Sequence, residues 1–168
     1  SKNVVTNQEG PHPKLITTVK KHLASHWRKP KAASNAALKP IEIYLNQYFK
    51  GIVLDSFCGT GESTKYLSTI YPEHLVIGIE KSSHRLSKHV KADQKNYVLL
   101  HAKCEAVWSE LAAQSISVDF HYIFYPNPWP KAKHLMRRVH GHPTFYTLTQ
   151  LGGQVELRSN WACYVEEF

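Results

Sequence analysis

From Gly51 onward, short apolar runs alternate with longer amphipathic stretches, and this alternation constrains the fold more than any other feature of the sequence. The apolar runs have the length and composition of buried strands: Ile52–Leu54, Leu75–Ile79, Tyr97–Leu100, Val118–Phe124 and Val155–Leu157. The stretches between them have helical spacing: Glu62–Ile70, Ser83–Lys91, Glu105–Ala113 and Pro143–Leu151. This alternation predicts an α/β fold with a doubly wound, mainly parallel sheet. Such sheets bind ligands outside the carboxyl ends of their strands.

The first 50 residues have a different pattern, which is helical and basic. An apolar stripe predicts a helix that begins near Pro13 and whose inner face comprises Leu15, Ile16, Val19, Leu23 and Trp27. A second helix is predicted from about Ser34 to Phe49, kinked or restarted at Pro40, with the inner face Ile41, Tyr44, Leu45 and Tyr48. We therefore expect a basic helical extension over residues 1–50 and a core domain over residues 51–168.

Length and cysteine content exclude several classes of protein. The 168 residues suit one domain, and no apolar run approaches the roughly 18–20 residues that a membrane span needs. No signal peptide is recognisable at the start of the sequence. Cys58, Cys104 and Cys163 are an odd number at wide spacing, without the paired spacing of zinc ligands. We therefore expect a protein of the reducing cytoplasm without a metal site.

The net charge of +8 is concentrated in two segments that contain no carboxylate. Residues 10–41 and 120–155 together hold 11 of the 21 Lys and Arg residues. Concentrated positive charge is typical of a surface that binds a polyphosphate, and two such segments favour a nucleic acid partner over ordinary solvated faces.

The first strand ends at Asp55 and is followed by a turn that contains Gly59 and Gly61. Glycines allow a tight turn and a close approach of the backbone to a ligand. Glu80 ends the next strand, where a carboxylate can hold both hydroxyls of a ribose. A dinucleotide or S-adenosylmethionine would fit this arrangement. Because the third glycine of the dinucleotide fingerprint is absent, S-adenosylmethionine is favoured.

Five segments carry a resemblance to a known family. Leu54–Thr64 resembles motif I of the class I methyltransferases, and Gly78–Glu80 resembles their ribose-binding acid. The segment Phe124–Arg138 is similar to the Phe-Pro-Asp-Pro-Trp, Lys, Arg-His, Arg-Arg element of bacterial tRNA (guanine-N7) methyltransferases. Leu151–Gly153 and Ser159–Trp161 resemble that family's Gly-Gly turn and Thr-Asp-Trp element. The resemblance implies a Rossmann-like fold, S-adenosylmethionine as cofactor and tRNA as substrate.

The resemblance also implies roles for individual residues. Asn127 would be the catalytic residue beside the methyl group. The cofactor would contact Asp55, Phe57, Gly59, Gly61, Glu80, Lys81, Lys103, Cys104 and Asn127. The RNA would contact Lys131, Lys133, Arg137, Arg138 and Asn160, with His134 and His140 adding charge at lower pH.

The sequence departs from the family at several of these positions. Asn127 and Asn160 stand where the family has Asp, Phe57 stands at the first motif I glycine, and Lys103 replaces an acid or amide. The family's later Thr-x-x-Glu segment and two final strands lie beyond the last residue of this sequence. Guanine N7 needs no general base, but a nearby carboxylate would offset the charge that develops on the ring.

Three functions therefore stay open at this point. Methylation of guanine N7 in tRNA fits the basic segment 131–138 best. Methylation of an exocyclic amine in RNA suits the neutral Asn127 followed by Pro128, because an amide pairs well with an adenine edge. A relative that binds RNA without catalysis is the third.

Overall fold

The computed structural model describes residues 3–25 and 37–168, and its centre is a five-stranded sheet. The strands are β1 (Ile52–Ser56), β2 (Leu75–Glu80), β3 (Tyr97–His101), β4 (Phe120–Phe124) and β5 (Gln154–Arg158). All neighbouring strands are parallel, in the order β3-β2-β1-β4-β5. The doubly wound parallel sheet predicted from the sequence is therefore confirmed. The strand order reverses between β1 and β4, so their carboxyl ends border the crevice where such sheets bind ligands.

Helices connect the strands and precede them. The α-helices are α1 (Leu15–Ala24), α2 (Glu42–Leu45), α3 (Glu62–Ile70), α4 (Ser83–Leu86), α5 (Cys104–Ala113), α6 (Phe145–Gln150) and α7 (Ala162–Glu167). Two 3-10 helices span Lys39–Ile41 and Ala132–Arg137. None of the helices in the two described ranges has both the length and the apolar character needed to cross a membrane.

The core lies on both faces of the central strands. Leu54, Ile77 and Leu100 belong to a cluster that α5 completes with Trp108, which is 1% exposed. Val53 and Val76 face the other side of the sheet and pack with Leu67 of α3. Burying each such aliphatic side chain contributes about 1.5–3 kcal/mol, so the sheet is a rigid base for the loops at its carboxyl edge.

The long helix predicted over residues 34–49 is wrong for the part from residue 37 onward, which forms only a 3-10 turn and the short α2. Pro40 has no amide hydrogen, so a continuous helical ladder cannot run through it. Ile41 is buried as predicted, whereas Tyr48 is 99% exposed. Residues 34–36 and Trp27 of the first predicted helix lie outside the described residues.

The helix predicted over Ser83–Lys91 is also shorter, because α4 ends at Leu86. Beyond it, His89 turns toward the loop after β1, where its Nδ1 lies 2.8 Å from the Thr60 carbonyl oxygen. Its Nε2 lies 2.9 Å from the Tyr97 hydroxyl. These two contacts hold His89 against the loop after β1 and against Tyr97, three residues beyond the end of α4. Within the basic segment 131–138, residues Ala132–Arg137 form a 3-10 helix. The sequence pattern did not predict α7.

Candidate active site

The loop after β1 turns through three left-handed residues at the carboxyl end of the strand. Their φ angles are 64° at Phe57, 62° at Gly59 and 83° at Gly61. The glycines adopt this conformation without steric cost, whereas Phe57 is strained there by about 1–2 kcal/mol. The family's glycine at this position is thus explained, and this chain keeps the turn with a bulky aromatic residue instead.

Glu80 joins this loop to the loop after β2. Its side chain is only 4% exposed. One carboxylate oxygen accepts a hydrogen bond from the Gly59 amide at 3.2 Å, and the other accepts from the Ser82 amide at 2.8 Å. The Arg85 guanidinium lies 3.5 Å away. A carboxylate offers about four acceptor positions, so these amides leave room for further donors such as hydroxyl groups.

Asp55 lies behind the loop and is fully buried. One carboxylate oxygen accepts from the hydroxyls of Ser63 and Thr64, at 2.6 and 2.7 Å. Burial raises its pKa to about 6, against the lowering effect of these two hydrogen bonds. Asp55 therefore ties β1 to the start of α3, and the prediction of a direct cofactor contact is not supported.

A cavity of about 520 Å³, here called the inner cavity, opens at the carboxyl edge of the sheet. Part of its wall comes from an aromatic residue after β1, the acid at the end of β2 and an aromatic residue of α5. Another part comes from the loop after β4. Its lining includes Phe57, Glu80, Trp108, Asn127, Trp129 and Arg137. The structure thus brings the predicted cofactor acid and the predicted catalytic amide to one space.

An aromatic wall of the inner cavity is held in place from the core. The rings of Phe57 and Trp108 meet edge to face, with centroids 6.1 Å apart. The Trp108 indole donates to the Ser56 hydroxyl at 3.1 Å, and that hydroxyl lies 2.8 Å from Nε2 of His121. Burial lowers the pKa of His121 to about 3, so its ring is neutral. Sequence reasoning missed Trp108, because an apolar residue within a helix is indistinguishable from ordinary core.

Of the predicted cofactor residues Lys81, Lys103 and Cys104, only Lys81 lines the inner cavity. Lys81 is exposed and lines the inner cavity. Lys103 is exposed but precedes α5 outside the lining. Cys104 is buried, with its thiol 3.8 Å from the Ile79 carbonyl oxygen, and burial raises its pKa. The predicted contacts of Lys103 and Cys104 with a cofactor are thus not supported, because the turn into α5 directs one outward and the other into the core.

The loop after β4 holds Asn127 in a strained turn. Tyr125 and Trp129 have positive φ angles of 51° and 46°. The Tyr125 amide donates to the Arg158 carbonyl oxygen at 2.8 Å, which ties the loop to β5. Asn127 is exposed, and its side-chain oxygen accepts from the Trp129 amide at 3.4 Å. Left-handed residues other than glycine concentrate at functional sites, and this loop follows that pattern.

A second cavity of about 520 Å³, here called the outer cavity, adjoins the first. Both are lined by Arg85, Tyr125, Pro126 and Asn127. The outer cavity is completed by the amino-terminal segment, the loop after β4 and the loop after β5. The residues are Asn3, Val4, Val5, Pro128, Pro130 and Asn160. Asn127 thus lies on the wall common to two spaces, an arrangement that suits transfer of a group from one bound molecule to another.

Three of the predicted RNA-binding side chains lie exposed beside the cavities: Lys131, Lys133 and Arg137. The Arg137 guanidinium lies 4.9 Å from the centre of the Trp129 ring. His134 meets the same ring edge to face, with centroids 5.4 Å apart. A guanidinium and an imidazole against a tryptophan, with two exposed lysines nearby in the chain, are suitable contacts for phosphates and stacked bases.

Arg138 and His140 face the interior, so their predicted contacts with RNA are wrong. Arg138 is fully buried and donates to both carboxylate oxygens of Glu167, at 2.8 and 2.7 Å. His140 is 2% exposed and contacts the same carboxylate at 2.7 Å. Burial lowers the pKa of His140, against the raising effect of Glu167. No local pattern predicts this arrangement, because Glu167 is distant from both residues along the chain.

Comparison with known proteins agrees with this geometry. The family described as "Putative methyltransferase" matches residues 50–168. A tRNA (guanine-N(7)-)-methyltransferase of Salmonella typhi is 27% identical over 123 residues, covering 68% of this chain and 51% of the relative. That of Thermotoga maritima is 30% identical over 125 residues, covering 69% and 39%. That of Chlorobium phaeobacteroides is 38% identical over 86 residues, covering 48% and 41%. The chain spans about half or less of the length of these relatives.

Solved structures share the fold at low sequence identity. The antibiotic-resistance methyltransferase Kmr superposes with a TM-score of 0.53 at 20% identity, covering 73% of this chain and 65% of that one. The aminoglycoside resistance methyltransferase NpmB1 gives a TM-score of 0.51 at 20% identity, covering 66% and 56%. Together with the family match over residues 50–168, the sheet and its loops establish that the chain belongs to this methyltransferase family.

Proposed function

We propose that this chain is an S-adenosylmethionine-dependent RNA methyltransferase that modifies guanine N7 in tRNA. The observation that carries the proposal is Asn127 on the wall common to the inner and outer cavities, with Glu80 lining the inner cavity only. The relatives named tRNA (guanine-N(7)-)-methyltransferase support the choice of substrate. Residues 51–168 would form the methyltransferase core, residues 1–50 an extension of it, and the cytoplasm the place of action.

The lining of the inner cavity fits S-adenosylmethionine. The Glu80 carboxylate has acceptor positions left for the two ribose hydroxyls. The aromatic wall of Phe57 and Trp108 offers apolar surface and ring edges for an adenine. When bound, S-adenosylmethionine supplies an electrophilic methyl group on a positively charged sulfur. Glu80 would then hold the ribose, and the residues around Asn127 would keep water away from the methyl group.

The outer cavity would receive the base that is methylated. Guanine N7 carries a free lone pair at neutral pH, so the chain has no proton to remove. Its task is to align the base with the methyl group and to exclude water. Asn127 offers an amide dipole at this point, which stabilises a developing positive charge less than a carboxylate would. We therefore expect methyl transfer to proceed without a nearby carboxylate to stabilise the positive charge that develops on the base.

Positive charge beside the cavities would attract and position the RNA. Lys131, Lys133 and Arg137 are exposed, and each phosphate they contact adds to affinity in a salt-dependent way. Trp129 lines the inner cavity and lies next to Arg137, where it could stack on a base near the target. These contacts would hold the RNA over the cavities without selecting its sequence.

One observation favours a second acceptor. Among the described residues, the lining of the outer cavity includes Asn127 and Asn160 but no carboxylate. An amide can accept and donate along a base edge, which suits an exocyclic amine of adenine or cytosine. The two candidates share the cofactor and the RNA class, and they differ only in the product.

The test is incubation of the protein with bulk tRNA and methyl-labelled S-adenosylmethionine, followed by nucleoside analysis. The proposal predicts label in 7-methylguanosine, and label in N6-methyladenosine or N4-methylcytidine would favour the second candidate. Calorimetric titration with S-adenosylmethionine alone separates both from the third possibility. A protein that binds RNA but shows no heat of cofactor binding would be a non-catalytic relative.

A further inference from the structure

A buried carboxylate near the carboxyl-terminal end of α7 is the centre of a polar network that the proposed reaction does not use. The Glu167 side chain is 0% exposed. Its two oxygens accept from Arg138 at 2.8 and 2.7 Å, and one of them also contacts Nε2 of His140 at 2.7 Å. Burial acts to raise the pKa of Glu167, but hydrogen bonds from Arg138 and its other donors outweigh it and lower the pKa. The carboxylate is therefore ionised and paired at neutral pH.

The same carboxylate holds the amino-terminal segment of residues 3–12, here called the N-terminal strap. One oxygen accepts from Nε2 of Gln8 at 2.7 Å and from the His12 amide at 2.8 Å. The Gln8 side-chain oxygen in turn accepts from Nη2 of Arg138 at 2.9 Å. Gln8, Arg138 and Glu167 thus form a closed ring of hydrogen bonds between segments far apart in the sequence.

The ring extends to both walls of the outer cavity. Arg138 donates from Nε to the carbonyl oxygen of Trp129 at 3.3 Å. The Thr6 hydroxyl of the strap donates to the Pro130 carbonyl oxygen at 3.0 Å. Val4 of the strap lines the outer cavity and also packs against the cluster around Trp161. The strap and the loop after β4 therefore each form part of the cavity wall, and the Glu167 ring connects them.

We propose that Glu167 is a positioning residue for methyl transfer, which fixes the N-terminal strap against the loop after β4 and so shapes the site for the acceptor base. The inference rests on the proposed function, since it assigns the outer cavity to that base. A buried ion pair contributes little net stability compared with an apolar replacement, but a buried hydrogen-bonded network holds its segments in one arrangement. Glu167 lines neither cavity, so it acts only through the residues that it holds.

The test compares Glu167→Gln and Gln8→Ala with the exposed neighbour control Glu166→Gln. Gln8→Ala removes the Gln8 side-chain bonds to Glu167 and Arg138 and leaves the Arg138–Glu167 pair in place, so it tests the proposal even if Glu167→Gln fails to fold. Three quantities are measured: hydrogen exchange of residues 3–12, S-adenosylmethionine affinity by calorimetry, and single-turnover methyl transfer at saturating tRNA. Exchange of the segment 51–80 reports whether the core is intact.

We expect faster exchange in the strap for both variants, with unchanged exchange in 51–80 and unchanged cofactor affinity. The transfer rate constant should fall by about 10- to 100-fold, as expected for a misplaced acceptor, while Glu166→Gln behaves as wild type. A merely structural role would instead weaken cofactor binding and core protection together, which would overturn the proposal. Wild-type transfer rates in a variant with a loosened strap would overturn it as well.

Failure of the proposed function is distinguishable from failure of this inference. If wild type transfers no methyl group to RNA, the proposed function fails, and the exchange measurement still decides whether Glu167 has a role in holding the strap in place. A strap that loosens without change in the core would support that role. Unaltered protection of residues 3–12 in both variants would contradict it.

Discussion

Two carboxylates at the ends of neighbouring strands differ in what surrounds them. Glu80 accepts from two backbone amides and lies near the Arg85 guanidinium. Asp55 accepts from two hydroxyls, with full burial and a raised pKa. Both positions were predicted from the sequence as cofactor contacts, yet only Glu80 lines the inner cavity. Residue type and strand position gave the location of each acid, whereas the direction of the side chain depended on tertiary contacts.

Replacing Glu80 by Ala should weaken S-adenosylmethionine binding. The loss of charge-assisted hydrogen bonds to the ribose costs about 1.5–3 kcal/mol. The dissociation constant measured by calorimetry should therefore rise by about 10- to 150-fold. Glu73→Ala, at an exposed site away from the cavity, should leave the constant unchanged. Equal affinity in Glu80→Ala, with the fold intact by circular dichroism, would refute the assignment of the ribose site.

Asp55→Asn should change how stability depends on pH. The pKa of Asp55 is raised in the folded protein to about 6 from 3.8, so the unfolded state loses this proton first as the pH rises. Wild type therefore loses stability relative to the variant between pH 4 and 6, by about 3 kcal/mol in total. Urea unfolding of both proteins at intervals from pH 4 to 7 measures the difference. Parallel stability curves across that window would contradict the buried environment described for Asp55.

At the scale of elements, the strands followed from the apolar runs to within about two residues at each end, because buried parallel strands have few alternatives. The short helices were harder to predict. α4 ends at Leu86, shortly before His89 bonds to the loop after β1. Pro40 limits the helical segment before β1. Such endings depend on contacts across the fold, which a local pattern does not contain. The same holds for Trp108 and Glu167 at the site, whose roles come from distant partners.

Two adjacent arginines at the end of the 3-10 helix 132–137 should respond differently to substitution. Arg137 is exposed, so Arg137→Gln should weaken tRNA binding and reduce the slope of log affinity against log salt by about one per lost phosphate contact. Arg138 is buried against Glu167, so Arg138→Ala should lower the free energy of unfolding by about 3–5 kcal/mol. Filter binding at several salt concentrations and chemical denaturation measure the two effects. Comparable stability losses in both variants would show that the assignment of the pair is wrong.

At the scale of the whole molecule, the charge and the cavities lie together. The net charge of +8 includes exposed cations next to Trp129, at the mouth of the inner cavity. A field of this kind raises the rate at which a polyanion arrives. The N-terminal strap and the loop after β4 then form the walls of the adjoining outer cavity. In the proposed function, electrostatics would bring the RNA to the site, while the rigid sheet would hold the groups on which transfer depends.

The most direct test of the account is single-turnover methyl transfer to tRNA by wild type and Asn127→Asp, with the product nucleoside identified. Asn46→Asp introduces the same charge at an exposed position outside both cavity linings and serves as the control. We predict 7-methylguanosine from all three proteins, with Asn127→Asp at least as fast as wild type, because a carboxylate offsets the positive charge that develops on the ring. A methylated exocyclic amine with a much slower Asn127→Asp variant, or no methylated RNA from any protein that binds the cofactor, would contradict the account.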